Sequence, residues 1–424
     1  MSSAAGAVPV IDGSAASEGD ARGAEGAATA PTRASTTAAP GPRVLVSGGL
    51  DFWVLGGASL LVWFVLACVE GMRSQSWAIG HQLGAIPAAA GLLAIVGNYP
   101  HFMASYMLAY RRGPRFVRRH WPQLCAVPLA LVALFAAAAW LYVDSTAAAG
   151  SEPPFLFLHR ALTALGLDSR IGTAPTAGQE LMGLCLGAMY FTVGWHYSKQ
   201  SYGCMMVYAH YDRYPLGRSQ RTLLRWALYS VWLVSFVYLN TAREPNQYDG
   251  IAYYPLGLPP AAYWASLALC AGAFLLVVHR VFVPIYRQHG RHPSASMLVP
   301  YLAFAVWWVP PLMQREFYFY LVPFFHSVQY LGFVNKVEST RLQRADPARA
   351  RARGAAIALG LVAAGFLAFE LIPDLADTFT HSRAALGVSF FLAAVSVFIN
   401  VHHYFIDNVI WRFDQQETRE YLLS

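Results

Sequence analysis

Long apolar runs, each of about 20 residues and nearly free of charge, recur along the sequence from residue 52 onward. A helix needs about 20 such residues to cross the hydrocarbon core of a bilayer. Inside that core every backbone polar group must find a partner, which helices provide within a single segment. We therefore predict an all-α fold, a polytopic transmembrane helical bundle of about ten spans. The predicted spans are residues 52–70, 82–110, 122–144, 179–198, 222–241, 259–284, 296–313, 316–336, 354–373 and 384–411.

The overall composition supports a membrane protein and excludes several other classes. Hydrophobic residues make up 56% of the 424 residues, charged residues only 12%, and the mean hydropathy is +0.38. A soluble domain carries about 25% charged residues. These values exclude an ordinary cytosolic enzyme, a disordered regulator and a nucleic-acid binder, although the formal net charge is +7. We therefore expect a membrane around the chain and no nucleic acid among its partners.

The distribution of basic residues predicts the orientation of the bundle. With the N-terminus inside, the predicted cytoplasmic loops and C-terminus hold 21 of the 30 Lys and Arg residues, and the predicted outer loops hold 6. Loops rich in Lys and Arg stay on the cytoplasmic side of a membrane. Both termini are therefore predicted to be cytoplasmic. Because outer-membrane proteins of the barrel type are built from strands, we expect a multi-pass protein of the inner (cytoplasmic) membrane.

The chain divides into two parts by composition. Residues 1–45 are mainly Ala, Gly, Ser, Thr and Pro with scattered charges. Such a segment cannot bury enough apolar surface to fold, and it lacks the basic start and apolar core of a signal peptide. We predict a disordered cytoplasmic tail over residues 1–45. Residues 46–424 are predicted to form a transmembrane helical domain with a histidine site inside the membrane.

Six of the thirteen histidines lie within the even-numbered spans 2, 4, 8 and 10 or their cytoplasmic extensions. An ionisable side chain inside a membrane span is costly and indicates a functional site by default. Neutral imidazole is also the commonest metal ligand among side chains. The six predicted metal ligands are His101, His196, His210, His326, His402 and His403.

The spacing of these histidines places several of them at one depth. His101, His326 and His403 each lie nine or ten residues before a basic residue at the cytoplasmic end of their span. At 1.5 Å per residue, each lies about 14–15 Å above that boundary. The depth of His196 is left open, and His210 would lie about 21 Å further along the same helix. Convergence on one site is predicted, while hydrogen-bonded structural histidines between helices remain an alternative.

Two residues near the pair His402 and His403 are predicted to take part in chemistry. Asp407 lies four residues after His403 and shares its helix face. It could accept a hydrogen bond from a metal-bound imidazole, or bind the metal itself, since carboxylate oxygen with imidazole suits iron. Tyr404 could supply a hydrogen bond, although aromatic side chains in membrane spans are commonly packing residues. The predicted catalytic residues are therefore Asp407 and Tyr404.

The segments around His101, His196, His326 and His402–His403 resemble the histidine-rich integral-membrane non-haem iron oxidoreductases. That group includes lipid desaturases and hydroxylases and the bacterial carotene-cleaving dioxygenases. The clustered H-x3-H and H-x2-H-H boxes of the desaturases are missing here, and the scattered single histidines are closer to the carotene-cleaving type. The resemblance implies one or two non-haem iron ions, dioxygen as co-substrate, and a hydrophobic or lipid-like substrate. Hydroxylation, desaturation and oxidative cleavage all stay open.

The chain carries no flavin or nicotinamide fingerprint. If the reaction needs electrons, we expect a ferredoxin or reductase as partner, whereas a dioxygenase would need none. Two other functions could use the same histidines: a proton-coupled transporter, and a haem-binding membrane protein.

Overall fold

The computed structural model describes residues 43–72, 89, 91–144, 152–313, 315–379, 389–412 and 415–423. Residues 1–42 of the predicted tail lie outside these ranges, as do residues 82–88 of the second predicted span and 384–388 of the tenth. Over the described ranges the fold is all-helical, apart from one two-stranded hairpin.

The helices are named here in chain order, and a π-helical turn is included in the helix it belongs to. They are α1 (Gly48–Phe52, Trp53–Gly57 and Ala58–Met72), α2 (Asn98–Tyr110), α3 (Pro114–Arg119), α4 (Pro122–Ala126 and Val127–Asp144), α5 (Leu156–Ala164), α6 (Ala177–Tyr211), α7 (Arg218–Leu239), α8 (Pro260–Val277, Val278–Phe282 and Val283–His289), α9 (Ala295–Trp308), α10 (Arg315–Ala345), α11 (Ala350–Phe366, Leu367–Leu371 and Ile372–Phe379), α12 (Phe390–Ile410) and α13 (Gln416–Leu422).

Six helices in the described part of the chain are long and apolar enough to cross a membrane. They cover Gly48–Glu70, Pro122–Tyr142, Arg218–Leu239, Pro260–His289, Ala350–Phe379 and Phe390–Ile410. The prediction of a helical membrane protein is confirmed at this level. The other four predicted spans also coincide with helices where the chain is described, namely α2, α6, α9 and α10. That these four cross the bilayer stays a prediction, as does the orientation.

Helix α6 is the longest element and lies at the centre of the bundle. Its start is fixed by a capping box, in which the Thr176 hydroxyl accepts from the Gln179 amide at 3.1 Å and the Gln179 side chain accepts from the Thr176 amide at 3.2 Å. The helix packs against α4, α7, α9 and α12, while α2 packs against α10, α11 and α12. Four of these helices, α2, α6, α10 and α12, carry the histidines discussed below.

A π-helical turn in α1 brings that helix against α9. Gly56 in this turn has φ +152°, and a Cβ there would meet Ala303 Cβ at 2.8 Å and the Val299 carbonyl at 3.0 Å. Only glycine fits such a close approach without displacing a neighbour. The turn also frees the Leu55 carbonyl from the helix, and Gln329 of α10 donates to it at 2.6 Å.

A short hairpin between α7 and α8 covers one end of α6. Strands β1 (Asn246–Tyr248) and β2 (Ile251–Tyr253) pair antiparallel, with Tyr248 opposite Ile251. The two turn residues, Asp249 and Gly250, have φ of 46° and 77°, the values that a tight two-residue hairpin turn requires and that Asp-Gly adopts readily. Sequence analysis did not predict this hairpin, although the Asp-Gly pair indicates it.

Candidate metal centre

Four helices each direct one histidine into a common buried point. His101 of α2, His196 of α6, His326 of α10 and His403 of α12 are all buried, the most exposed of them at 8%. One ligand nitrogen from each lies within 4.8 Å of the other three. Of the six histidines predicted as metal ligands, these four meet in the structure. The group is named here the four-histidine group.

The distances inside the group are compatible with a shared metal ion. The Nε2 atoms of His101 and His403 are 3.0 Å apart. Two nitrogens bound to one ion at about 2.1 Å and at right angles are about 3 Å apart. The Nε2 atoms of His196 and His326 are buried and have no hydrogen-bond partner among the described residues. Buried polar atoms are rarely left unpaired, so these nitrogens are free to act as ligands.

Asp407 lies at the edge of the four-histidine group, one helical turn after His403. Its Oδ2 is 3.4 Å from His403 Nε2 and 3.8 Å from His196 Nε2. Its Oδ1 accepts from the hydroxyls of Ser105 and Tyr330, each at 2.9 Å. The carboxylate is therefore held by Oδ1, while Oδ2 faces the imidazoles. A buried carboxylate needs positive charge nearby, and a cation held by these imidazoles would supply it.

Hydrogen bonds on the far side of the His101 ring fix which nitrogen faces the group. Its Nδ1 lies 3.3 Å from the Asn98 carbonyl and 3.1 Å from the Ser327 hydroxyl. Ser327 donates to Asn98 Oδ1 and to the Pro323 carbonyl, at 2.9 and 2.7 Å. The carbonyl of Asn98 can only accept, so Nδ1 carries the hydrogen and Nε2 presents its lone pair. Metal-binding histidines are commonly oriented in this way.

Two tyrosine rings lie flat against two of the imidazoles. Tyr197 stacks on His326 with 3.8 Å between ring centroids and 18° between planes. Tyr404 stacks on His196 at 4.6 Å and 26°. The hydroxyl of Tyr404 donates to Asn400 Oδ1 at 3.2 Å, so its ring rather than its hydroxyl meets the group. The geometry gives Tyr404 a positioning role, and its predicted part in catalysis stays a prediction.

A pair of glutamines ties three helices together beside the group. Gln200 of α6 donates to the His326 carbonyl and to Gln329 Oε1, both at 2.9 Å. Gln329 of α10 in turn donates to the freed Leu55 carbonyl of α1. This chain of bonds holds α1, α6 and α10 in register at the level of the imidazoles.

The structure does not bring the other two predicted ligands into the group. His402 lies on a different face of α12 from its neighbour His403, and its Nδ1 is 3.0 Å from the Tyr106 hydroxyl. His210 is at the end of α6, exposed, with Nε2 2.9 Å from the Arg43 guanidinium. Adjacent helical residues point about 100° apart, which separates His402 from His403. The length of α6 separates His210 from His196.

The sequence contains a repeated spacing that the predictions use only for Asp407. Each of the four histidines is followed, four residues later, by a polar side chain on the same helix face. These partners are Ser105, Gln200, Tyr330 and Asp407. They form a polar layer one helical turn further along each helix, and three of them meet: the Ser105 and Tyr330 hydroxyls, 2.5 Å apart, both donate to Asp407 Oδ1. A histidine followed by a polar residue at this spacing in four spans is a signal that sequence reasoning can use.

Comparison with protein-family models, with curated protein sequences and with solved structures finds no match to this chain. Fold and site therefore define the class by themselves. Over the residues that the structure describes, the protein is helical apart from one hairpin, has six helices that could cross a membrane, and contains a buried four-histidine group that could hold a metal ion.

Proposed function

We propose that the four-histidine group holds iron, as one ion or two, and that the protein is a membrane-bound oxidoreductase acting with dioxygen on a hydrophobic or lipid-like substrate. The convergence of four buried ligand nitrogens from four separate helices is the observation that carries this proposal. Imidazole together with carboxylate oxygen is a ligand set that suits iron. Iron bound in this way supplies two kinds of chemistry that side chains lack, namely reaction with dioxygen and transfer of single electrons.

In this proposal the chain's own residues have three tasks. The imidazoles of His101, His196, His326 and His403 hold the ion. Asp407 presents Oδ2 to the same point, where it serves as a further ligand or accepts a proton, while the Tyr330 and Ser105 hydroxyls hold Oδ1. The stacked rings and the burial of the group exclude water from the reacting centre, which limits side reactions.

The electron balance determines whether a partner is needed. Hydroxylation converts a C–H bond to C–OH and reduces the second oxygen atom of O2 to water, which consumes two electrons and two protons. Desaturation removes two hydrogens and reduces O2 to two waters, again with two further electrons and protons from outside. Oxidative cleavage of a C=C bond places one oxygen atom on each product carbonyl and needs no outside electrons. A ferredoxin or reductase is therefore proposed as partner for the first two reactions only.

The proposed setting is the inner (cytoplasmic) membrane, crossed about ten times with both termini in the cytoplasm. The excess of Lys and Arg in the loops that connect the spans on one side supports this orientation. Under it, the four-histidine group lies within the membrane and within reach of substrates dissolved in the bilayer.

The arrangement of the rings weighs against the haem alternative. The imidazole rings contact one another directly. The distance between ring centroids is 4.4 Å for His101–His403 and 4.9 Å for His196–His403. It is 5.1 Å for His101–His326 and for His196–His326. Two axial ligands would need a slot wide enough for a porphyrin between them, and no such slot separates these rings. A proton-coupled transporter remains the competing function, and it predicts proton-dependent flux without stoichiometric metal.

Iron analysis of two neighbouring variants tests the proposal. Purified wild-type protein is expected to contain iron in near-stoichiometric amount, measured by elemental mass spectrometry. His403→Ala should lose most of that iron, while the matched control His402→Ala, one residue away and equally helical, should retain it. Iron absent from the wild type, or lost equally from both variants when both remain folded, would overturn the proposal.

A further inference from the structure

A cavity of about 340 Å³ lies beside the four-histidine group, between α6, α7, α10 and the hairpin. Small-molecule sites commonly have volumes of about 300–1,000 Å³. The lining is mainly apolar and aromatic, and Gly183, Gly187 and Ala188 leave room along one face of α6. A Cβ added at Gly187 would meet nothing within 4 Å, so α6 borders open space at this position, whereas a Cβ at Gly183 would meet the Ala252 carbonyl of β2 at 3.0 Å.

The mouth of the cavity lies on the apolar surface of the bundle. Leu184, Leu239 and Phe319 line the cavity and are also 36%, 37% and 50% exposed. In a membrane protein, side chains of this kind face lipid. A molecule dissolved in the bilayer can therefore enter sideways without crossing water.

The inner end of the cavity reaches the metal centre. Tyr197, Trp308 and Val322 line it, and the same three side chains line a second, smaller cavity whose wall includes His326 itself. Tyr197 is also the ring that stacks on His326. One aromatic ring thus separates an occupant of the cavity from the four-histidine group.

The polar groups that α7 contributes to this wall do not open onto the cavity. Trp232 Nε1 is buried and lies against Gly194 of α6. Ser235, three residues further, is fully buried and lies beside Tyr318. The charge of the lining favours a neutral molecule over an anionic one, since Glu180 is the one charged side chain among the described lining residues.

We propose that this cavity binds a neutral long-chain molecule, with its chain along α6. This inference deepens the proposed function, because it names the class of substrate that the metal centre would receive. Free fatty acids are disfavoured as ligands because no cation among the described lining residues pairs with a carboxylate.

Photo-crosslinking in lipid nanodiscs tests the cavity. The probe is hexadecanol with a photoreactive diazirine in its chain, and labelled peptides are mapped by mass spectrometry. We expect labelling within Ala177–Tyr211 and Arg218–Leu239, suppressed by excess hexadecanol or hexadecane and much less by hexadecanoate. Gly187→Leu fills the cavity and should abolish this labelling. Gly272→Leu is the matched control, because Gly272 is a helical glycine on the surface of α8 with equally open space around it.

Labelling spread over lipid-facing helices, or unchanged in Gly187→Leu, would overturn the inference. The readout needs no metal and no turnover. Specific labelling of a protein without iron would support ligand binding in the cavity and contradict the proposed function. Stoichiometric iron without specific labelling would support the proposed function and contradict ligand binding in the cavity.

Discussion

At the scale of single residues, the site consists of candidate ligand side chains and of the neighbouring groups that hold them in place. Each imidazole of the four-histidine group has a partner that holds it, whether a carbonyl, a stacked ring or a polar side chain one turn away. Asp407 has the most specific surroundings of these residues. It is a buried carboxylate whose two oxygens have different neighbours, hydroxyls at Oδ1 and imidazoles at Oδ2.

Replacing Asp407 by asparagine tests the role of that charge. Asp407→Asn keeps the shape and removes the negative charge that faces the imidazoles. Removing a partner of this kind commonly costs about 10- to 100-fold in metal affinity, and we expect a loss in this range, measured by competition with a chelator. Glu420→Gln is the control, since Glu420 is an exposed carboxylate paired with Arg344. Unchanged affinity in Asp407→Asn would show that the carboxylate plays no part in binding.

The sequence predicts the depth of the histidines along their helices, but it does not predict the direction in which each side chain leaves its helix. Helical rise gives depth, so the common level of His101, His326 and His403 could be predicted. Rotation about the helix axis is set by packing between helices, which a single sequence does not reveal. For this reason His402 was predicted as a ligand together with His403, although their side chains leave the helix in different directions.

At the scale of elements, the precise placement of α1 depends on one glycine. The π-helical turn at Gly56 lets α1 approach α9 and frees the carbonyl that Gln329 binds. Apolar periodicity predicts a helix here but does not predict the turn inside it. The hairpin and the cavity escaped sequence analysis for a related reason: both depend on which helices become neighbours.

An alanine at this position is expected to be costly. Gly56→Ala would place a Cβ 2.8 Å from Ala303 Cβ at a positive φ, and strained backbone of this kind costs about 1–3 kcal/mol. We expect a lower Tm in thermal unfolding of the purified protein, and weaker iron retention because Gln329 loses its acceptor. Gly49→Ala is the control, since a Cβ at Gly49 meets nothing within 4 Å. Equal Tm values for the two variants would contradict this account of the turn.

At the scale of the whole molecule, apolar helices surround the long helices α6 and α10, which carry polar residues along much of their length. Because charge and hydropathy are properties of the whole chain, the class of fold could be predicted from sequence. The number of spans and their orientation are the parts of that prediction that geometry alone leaves open.

Cysteine accessibility tests the orientation. In a cysteine-free background, Gln247→Cys in the hairpin and Gln288→Cys at the end of α8 lie on exposed side chains at opposite ends of that helix. A membrane-impermeant maleimide should label Gln247→Cys in intact cells and Gln288→Cys only after the membrane is opened. The reversed pattern would place both termini outside and contradict the excess of arginine in the predicted cytoplasmic loops.

The central claim, that imidazoles from four helices bind one iron centre, is tested most directly by X-ray absorption at the iron edge of the purified wild-type protein. We predict nitrogen and oxygen donors at about 2.1 Å, with the outer-shell scattering typical of several imidazole rings, and loss of that scattering in His101→Ala. A spectrum without imidazole scattering, or protein that binds no iron at all when iron is supplied during expression, would contradict the account.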